Sequence, residues 1–408
     1  MKSFNKIIYL ILLLYLISYA IIPTSKLIIG DILVLLLLIV QLLAFILIKK
    51  ERSNVLNILK HIFKDKIFLS LILLNLAMYI SIIFAVDKSL SITHSIRFSI
   101  YIFIFYSISY KVKDNHIRIL FKSVIGIVIL SGIYAFAQLS YVIFLGYKID
   151  KTIRIPSFLE NPNNLAAYTL LSFFILLMLL FNSKNIKFKI FLSISCILLF
   201  INIAFSQSRN AFLALIVGMF IITILYNIKF LYITIFLPII LFLIPTTRLR
   251  ILQIFDASQN DSRFKIWEIT KQIISDNPIN GIGYDNFSIY FTSYAEKNPL
   301  LNIDPSYIAY HPHNTLLKMQ VELGILGTVT FLFFIIATSF TLYKLVNISQ
   351  NIYTKNIMTG VTVGYFTFLF MNLLDSYFNA PKVIITTIIL LAFANHYRIS
   401  LDLKTNKT

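Results

Sequence analysis

Thr246 to Gly327 decides how this chain is read. The segment is polar almost to its end. It closes on His311-Pro-His-Asn-Thr315 and runs straight into an apolar stretch carrying Glu322-Leu-Gly-Ile-Leu-Gly327. It is the only long polar segment in 408 residues that are 58% hydrophobic and 13% charged. Soluble domains are about half apolar and a quarter charged. Apolar runs of roughly 20 residues recur on both sides of the segment, so the chain reads as a polytopic membrane protein rather than a string of soluble domains. The net charge of +19 would suggest nucleic acid in a soluble protein. Here the basic residues crowd short loops, as they do on the cytoplasmic side of membrane proteins, and no nucleic-acid partner is expected. The single Cys196 lies inside an apolar run, and nothing marks it as reactive.

The fold class expected is all-α, with about twelve transmembrane helices and one large extracytoplasmic loop holding short amphipathic helices. The spans fall near 7–23, 27–48, 67–86, 92–110, 119–146, 164–181, 189–205, 210–227, 230–245, 315–343, 357–374 and 382–397. Ser18-Tyr19-Ala20 resembles a signal-peptidase site, but the apolar run continues past it, which favours a retained first helix. Lysines and arginines gather on alternate connections: Lys49 to Lys66, Lys111 to Arg118, Lys184 to Lys189, then Lys344 and Lys355. Both termini join that set, which predicts cytoplasmic termini in the inner (plasma) membrane and an outer loop over 246–314. Three regions follow: N-terminal helices over 1–150, a catalytic membrane region over 151–397, and a cytoplasmic tail over 398–408.

Within the loop, Asp261-Ser262 caps a predicted helix through Ser275, with Ile266, Ile269, Ile273 and Ile274 at helical spacing. Phe264 and Trp267 suit a helix at the membrane interface. Asn277-Pro278 stops it, and Gly281-Ile-Gly283 makes a tight turn.

Four polar patches interrupt the apolar pattern: Arg154 to Asn164, Ser206-Gln-Ser-Arg-Asn210, Asp261 to Asn314, and Asp375 to Lys382. Each precedes a span running inward, so four helix N-termini face one outer cavity. Such termini carry partial positive charge and suit phosphate. Arg154, Arg209 and Arg263 add planar forks that match phosphate oxygens, together a site for a membrane-anchored diphosphate. Arg97 lies more than a turn inside the fourth span, with His94 on the same face. Structural pairing and a ligand role both fit it.

His311 and His313 lack the companions of a metal site, and no metal is expected. His313 sits at the entry to span ten, where Asn314 and Thr315 can cap the helix. A neutral imidazole there can act as a general base, and a capping role is the alternative. Lys318 and Glu322 lie four residues apart on one face with Asn314 and read as an inward polar stripe. Asp375 ends span eleven, where a carboxylate opposes the helix dipole, so it should be held by a cation such as Lys382 or an arginine, or else be solvated.

These residues resemble the O-antigen ligase family, membrane glycosyltransferases shared by ligases and related polymerases. The most specific element is His313-Asn314 followed by Gly324 and Gly327. Ser206-Gln-Ser-Arg209, Ser262 to Trp267 with Asn277 to Gly283, and Asp375 with Pro381 agree in order, as does Arg154 to Asn164 with its Asn-Pro-Asn. The first five spans match only in hydropathy. The resemblance implies that a glycan on undecaprenyl diphosphate is transferred to an acceptor sugar hydroxyl of a glycan or glycolipid such as the lipid A–core. His313 would be the base. Arg209 and Arg263 would stabilise the diphosphate; Arg154 and Arg97 stand beside them as diphosphate candidates on charge and position, not on the resemblance. Asp375, Asn314 and His311 would orient groups, and Gly281, Gly283, Gly324 and Gly327 would shape the motif. It implies inversion, with neither cofactor nor metal. Repeat-unit polymerisation by the same chemistry is the close alternative. A flippase, whose charges would lie nearer the midplane, fits less well. Protein O-glycosylation usually comes with a larger outer domain.

Overall fold

The computed structural model describes residues 2–26, 28–60, 62–147, 153–254, 261–301, 303 and 307–405. Every regular element among them is helical. The N-terminal third comprises α1 (Lys2–Ile21), α2 (Ile28–Leu47), α3 (Lys49–Lys60), α4 (Lys66–Ser81), α5 (Lys88–Tyr106) and α6 (Asp114–Phe144). The middle runs through α7 (Pro162–Asn182), α8 (Ile186–Ser206), α9 (Arg209–Leu225) and α10 (Phe230–Leu243). The polar segment forms α11 (Pro245–Leu252), α12 (Asp261–Asp276) and α13 (Phe287–Lys297). The chain ends with α14 (Thr315–Ile348), α15 (Ile352–Asn372) and α16 (Pro381–Thr405).

Twelve spans were expected. Among the described residues eight helical stretches are long and apolar enough to cross a membrane: α1, α2, α6, α7, α8, α14 and α16, and α4 together with the turn that extends it to Phe84. At 1.5 Å per residue, the apolar α9 and α10 are short for a hydrocarbon core of about 30 Å. Helix α5 has the length but carries Lys88, His94 and Arg97. Helix α16 runs unbroken into the region expected to be a polar tail.

Helix α7 is the axis of the bundle: 78% of its most apolar stretch is buried, against 22% for α2 at the periphery. It is gripped by α15, whose Gly360 and Gly364 bring backbone against backbone. A Cβ on Gly360 would stand 2.4 Å from Ile175 Cα, and one on Gly364 2.7 Å from Leu171 O. Small residues four apart are the usual means of such an approach between membrane helices.

The polar segment has its own small core. Ile266, Ile269 and Ile273 of α12 pack with Phe287 and Phe291 of α13, Ile282 of the intervening turn and Val321 of α14, the isoleucine face anticipated from the sequence. Span ten is not one straight helix. At Gly324 the backbone turns to φ 64°, ψ −156°, a region essentially closed to side-chain-bearing residues. The broken ladder is filled by the loop: Ile282 N–H donates to Val321 O at 3.0 Å, Gly283 N–H to Glu322 O at 2.9 Å, and Ile325 N–H to Ile279 O at 3.1 Å. The two segments fit backbone to backbone, because a Cβ on Gly324 would lie 2.0 Å from Ile279 O and one on Gly281 2.5 Å from Glu322 O. Gly281 and Gly324 therefore serve one joint that locks the loop onto the helix below it, while Gly283 lies against Ala85 and Gly327 against Leu323.

Candidate functional site

Three of the four polar patches and α11 meet in one cleft of about 100 Å³, and the fourth contributes its carboxylate. Arg154 and Asn163 come from the approach to α7, and Gln207, Ser208, Arg209 and Asn210 from the turn into α9. Arg250 comes from α11, Arg263 from α12 and Asp375 from the α15–α16 connection. The turn at Gln207 is left-handed, φ 51°, which sets α9 pointing at the cleft with its positive end. Arg154 is braced by its donations to Ser206 O at 2.9 Å and Asn163 Oδ1 at 2.5 Å. Arg209 donates to Gln253 O at 2.9 Å, and Arg250 to Gln207 Oε1 at 3.3 Å and Gln253 Oε1 at 3.1 Å. Burial, and then the charge of Arg250, lowers the Arg154 pKa; burial also lowers that of Arg250. Guanidinium remains charged through such shifts, so among the described residues four cations line the cleft with one carboxylate. An anion with several oxygens is the ligand that complements this set.

A second pocket of about 230 Å³ shares Arg209, Asn210 and Arg263 and adds Leu213, Ile254, Phe264, Trp267 and Leu374. The polar cleft thus opens on an apolar wall.

Asp375 ties the cleft to His313. Asp375 Oδ1 lies 3.0 Å from His313 Nδ1 and accepts from Ser376 N–H at 2.9 Å. Burial opposes the charge of Asp375, but the hydrogen bond and charge of His313, then the charge of His311, outweigh it and hold its pKa below the ordinary value. An ionised carboxylate only accepts, so Nδ1 of His313 carries the proton and Nε2 is left as the acceptor. His313 has φ 51°, an uncommon conformation for a residue with a side chain. It is held on three sides. Its N–H donates to His311 Nδ1 at 3.3 Å. Trp267 Nε1 donates to Pro312 O at 2.9 Å. Asn314 caps α14 through Leu317 N–H at 3.1 Å and donates to Leu373 O at 3.0 Å.

Two expectations are corrected. Lys382 does not hold Asp375: its ammonium is turned to Phe158 O at 2.5 Å, and His313 takes that role. Arg97 does not line the cleft. Tyr101 of α5 meets Tyr19 of α1 hydroxyl to hydroxyl at 2.9 Å, and Arg97 lies within electrostatic range of these two and of Tyr15 instead. His94 pairs with neither Arg97 nor a cleft residue, but with Asp285 Oδ2 at 3.0 Å. Lys318 and Glu322, read as a polar stripe, are fully buried and paired at 2.6 Å. Lys318 also reaches Asp285 Oδ1 at 3.0 Å, and Asn379 donates to the same oxygen at 3.2 Å.

Two residues were not singled out from the sequence. Arg250 was one charge among several in a long loop. Asp285 has no local signal beyond its neighbours Gly283 and Asn286. His311, His313 and Asp375 also place donor atoms within 4.8 Å of one another, a spacing open to a metal ion. The hydrogen bond from Nδ1 to Asp375 and the surrounding arginines favour the histidine–carboxylate pair over a cation.

An all-helical bundle with several apolar helices long enough to cross a membrane is that of a multi-pass membrane protein, and it carries a cationic cleft backed by an oriented imidazole. Residues 194–332, about a third of the chain, match the family model described as O-antigen ligase. That stretch is similar to the O-antigen ligase family, which points to a membrane enzyme of the ligase or polymerase kind. The match takes in Arg209, Arg263, the Gly281–Gly283 turn and His313 to Gly327, while Arg154 and Asp375 lie outside it. A search of curated proteins gave no match.

Proposed function

We propose that the protein transfers a glycan from undecaprenyl diphosphate to an acceptor sugar hydroxyl at the extracytoplasmic face, as an O-antigen ligase-type step in surface polysaccharide synthesis. The observation that carries this reading is the Asp375–His313 pair at the edge of a cleft lined by Arg154, Arg209, Arg250 and Arg263. The diphosphate occupies the arginine cleft, and the polyprenyl chain leaves over the apolar wall of Phe264, Trp267 and Leu213. His313 Nε2 accepts the acceptor's hydroxyl proton, the oxygen bonds to the anomeric carbon, and the carbon–oxygen bond to the diphosphate breaks. The electron pair stays on the diphosphate, where fixed guanidinium groups meet the developing charge without reorganising. Attack opposite the leaving group inverts the anomeric centre. The donor is already activated and the arginines supply the positive charge, so the step runs without metal. The termini and α3 then belong to the cytoplasmic side.

Replacing His313 by Ala at normal expression tests this. Glycan transfer should stop while the lipid-linked donor accumulates on the outer leaflet; transfer near the wild-type level would refute the base assignment. Polymerisation of repeat units uses the same groups. Deleting the gene separates the two, since loss of a ligase leaves polymer on the lipid and loss of a polymerase leaves single units.

A further inference from the structure

The segment joining α2 to α4 is too polar for a span and too apolar for a loop. Helix α3 begins at Lys49, one residue after Ile48, which follows the end of α2 at Leu47. Both flanking helices are long and apolar enough to cross a membrane, so α3 starts and ends at a bilayer surface. That surface lies at the end of α4 away from the cleft, whose loop meets α4 at its far end through Tyr284 N–H and Ser81 Oγ, 3.1 Å apart.

At about 100° per residue, α3 has three faces. One carries Glu51, Val55 and Ile58 and turns to the protein. Glu51 is buried and paired with Lys111 at 2.9 Å, and Ile58 packs on the main core. A second carries Ser53, Asn54 and Asn57, all exposed and polar. The third carries Leu56 and Leu59, which are 47% and 54% exposed, and the following turn adds Phe63 at 76%. Lys49, Lys50, Arg52, Lys60 and Lys64 are exposed around that apolar face. The segment's two acids do not balance them. Glu51 is spent on Lys111, and Asp65 is buried against Arg398 at 2.9 Å.

We infer that α3 and the turn after it are an interfacial anchor that seats Leu56, Leu59 and Phe63 in the acyl boundary of the leaflet and gathers anionic phospholipid headgroups with the surrounding lysines. An apolar stripe flanked by lysines is how helices lie in a membrane surface, and each basic side chain at that level attracts anionic lipid. The pairing of both acids inward leaves a surface of one charge sign, which complements phosphatidylglycerol and not a neutral headgroup.

Full-length protein with Cys196→Ala, carrying either Leu59→Cys or Asn54→Cys, would be spin-labelled and reconstituted in vesicles of phosphatidylcholine and phosphatidylglycerol at 3:1. Position 59 should be more accessible to oxygen than to a water-soluble nickel chelate, and position 54 the reverse. A label at 59 as open to the chelate as that at 54 would show a face standing in water; one closed to both reagents would show a protein partner. Either overturns the proposal. In the same vesicles, spin-labelled phosphatidylglycerol should be enriched at the protein boundary over phosphatidylcholine. Replacing Lys49, Lys50, Lys60 and Lys64 together by Gln should reduce that enrichment by roughly fivefold or more, as should high salt. Enrichment that survives both would also overturn it. The accessibility readings do not depend on the quadruple variant folding.

Discussion

His313 works as a base only if its proton sits on Nδ1, and Asp375 is the group that puts it there. Asp375→Asn keeps the size but lets the ring adopt the other tautomer. Transfer should fall by about 10²–10⁴-fold with donor binding little changed, measured with purified protein and lipid-linked donor. His311 contributes a different device. Burial, then the neighbouring His313, pushes its pKa down to about 4, so it stays neutral and keeps Nδ1 available to the His313 backbone. The unfolded chain titrates near 6.5 and takes up the proton first on acidification. His311's contribution to stability is thus complete above about pH 6.5 and lost as pH falls toward 4. Melting in detergent should drop across that window, and His311→Asn should flatten the drop. An unchanged pH profile in the variant would remove His311 from this role. The candidate base was legible because histidine, cap and helix start are neighbours in sequence. For Arg97 the sequence left pairing and a ligand role open, and only the tertiary structure sets it near Tyr19 and Tyr101 rather than in the cleft.

At the scale of elements, the Gly281–Gly324 joint holds the loop over the helix that presents His313. Gly324→Ala places a side chain in a conformation that disfavours it, 2.0 Å from Ile279 O, and should cost at least about 3 kcal/mol, seen as a lowered melting point and lost transfer. Gly126→Ala, where nothing lies within 4 Å, should change little and controls for helix propensity. Beneath the joint, Lys318 bridges Asp285 and Glu322. Lys318→Met would strand Glu322, leaving Asp285 to His94 and Asn379, and should destabilise by about 3–5 kcal/mol, whereas a stability equal to the parent's would show that water already reaches the pair. Hydropathy alone could not reveal the kink in α14, because the apolar run is continuous through Gly324. The glycine spacing was legible only as a resemblance, and its physical reason needed the loop's partner, some forty residues earlier in sequence. Asp285 escaped for the same reason: its partners His94, Lys318 and Asn379 come from three distant elements.

Across the whole molecule, an apolar bundle carries a cationic cleft at one end; on the readings proposed above, that end holds the chemistry and the other a lipid anchor. The helical class and the meeting of the polar patches followed from where charge interrupts hydrophobicity. The number of crossings did not, because α9 and α10 are short and α5 is charged, so composition and length give different answers there. The central claim separates into binding by arginine and turnover by histidine. One experiment reads both: purified protein in vesicles, with undecaprenyl-diphosphate-linked glycan and acceptor, with and without a metal chelator. His313→Ala should bind donor as the parent does and lose transfer by about 10²–10⁴-fold. Arg209→Gln and Arg263→Gln should each weaken donor binding by roughly tenfold or more, and the chelator should change neither. Transfer by His313→Ala at the parent's rate, or undiminished donor binding by both arginine variants, would contradict the account.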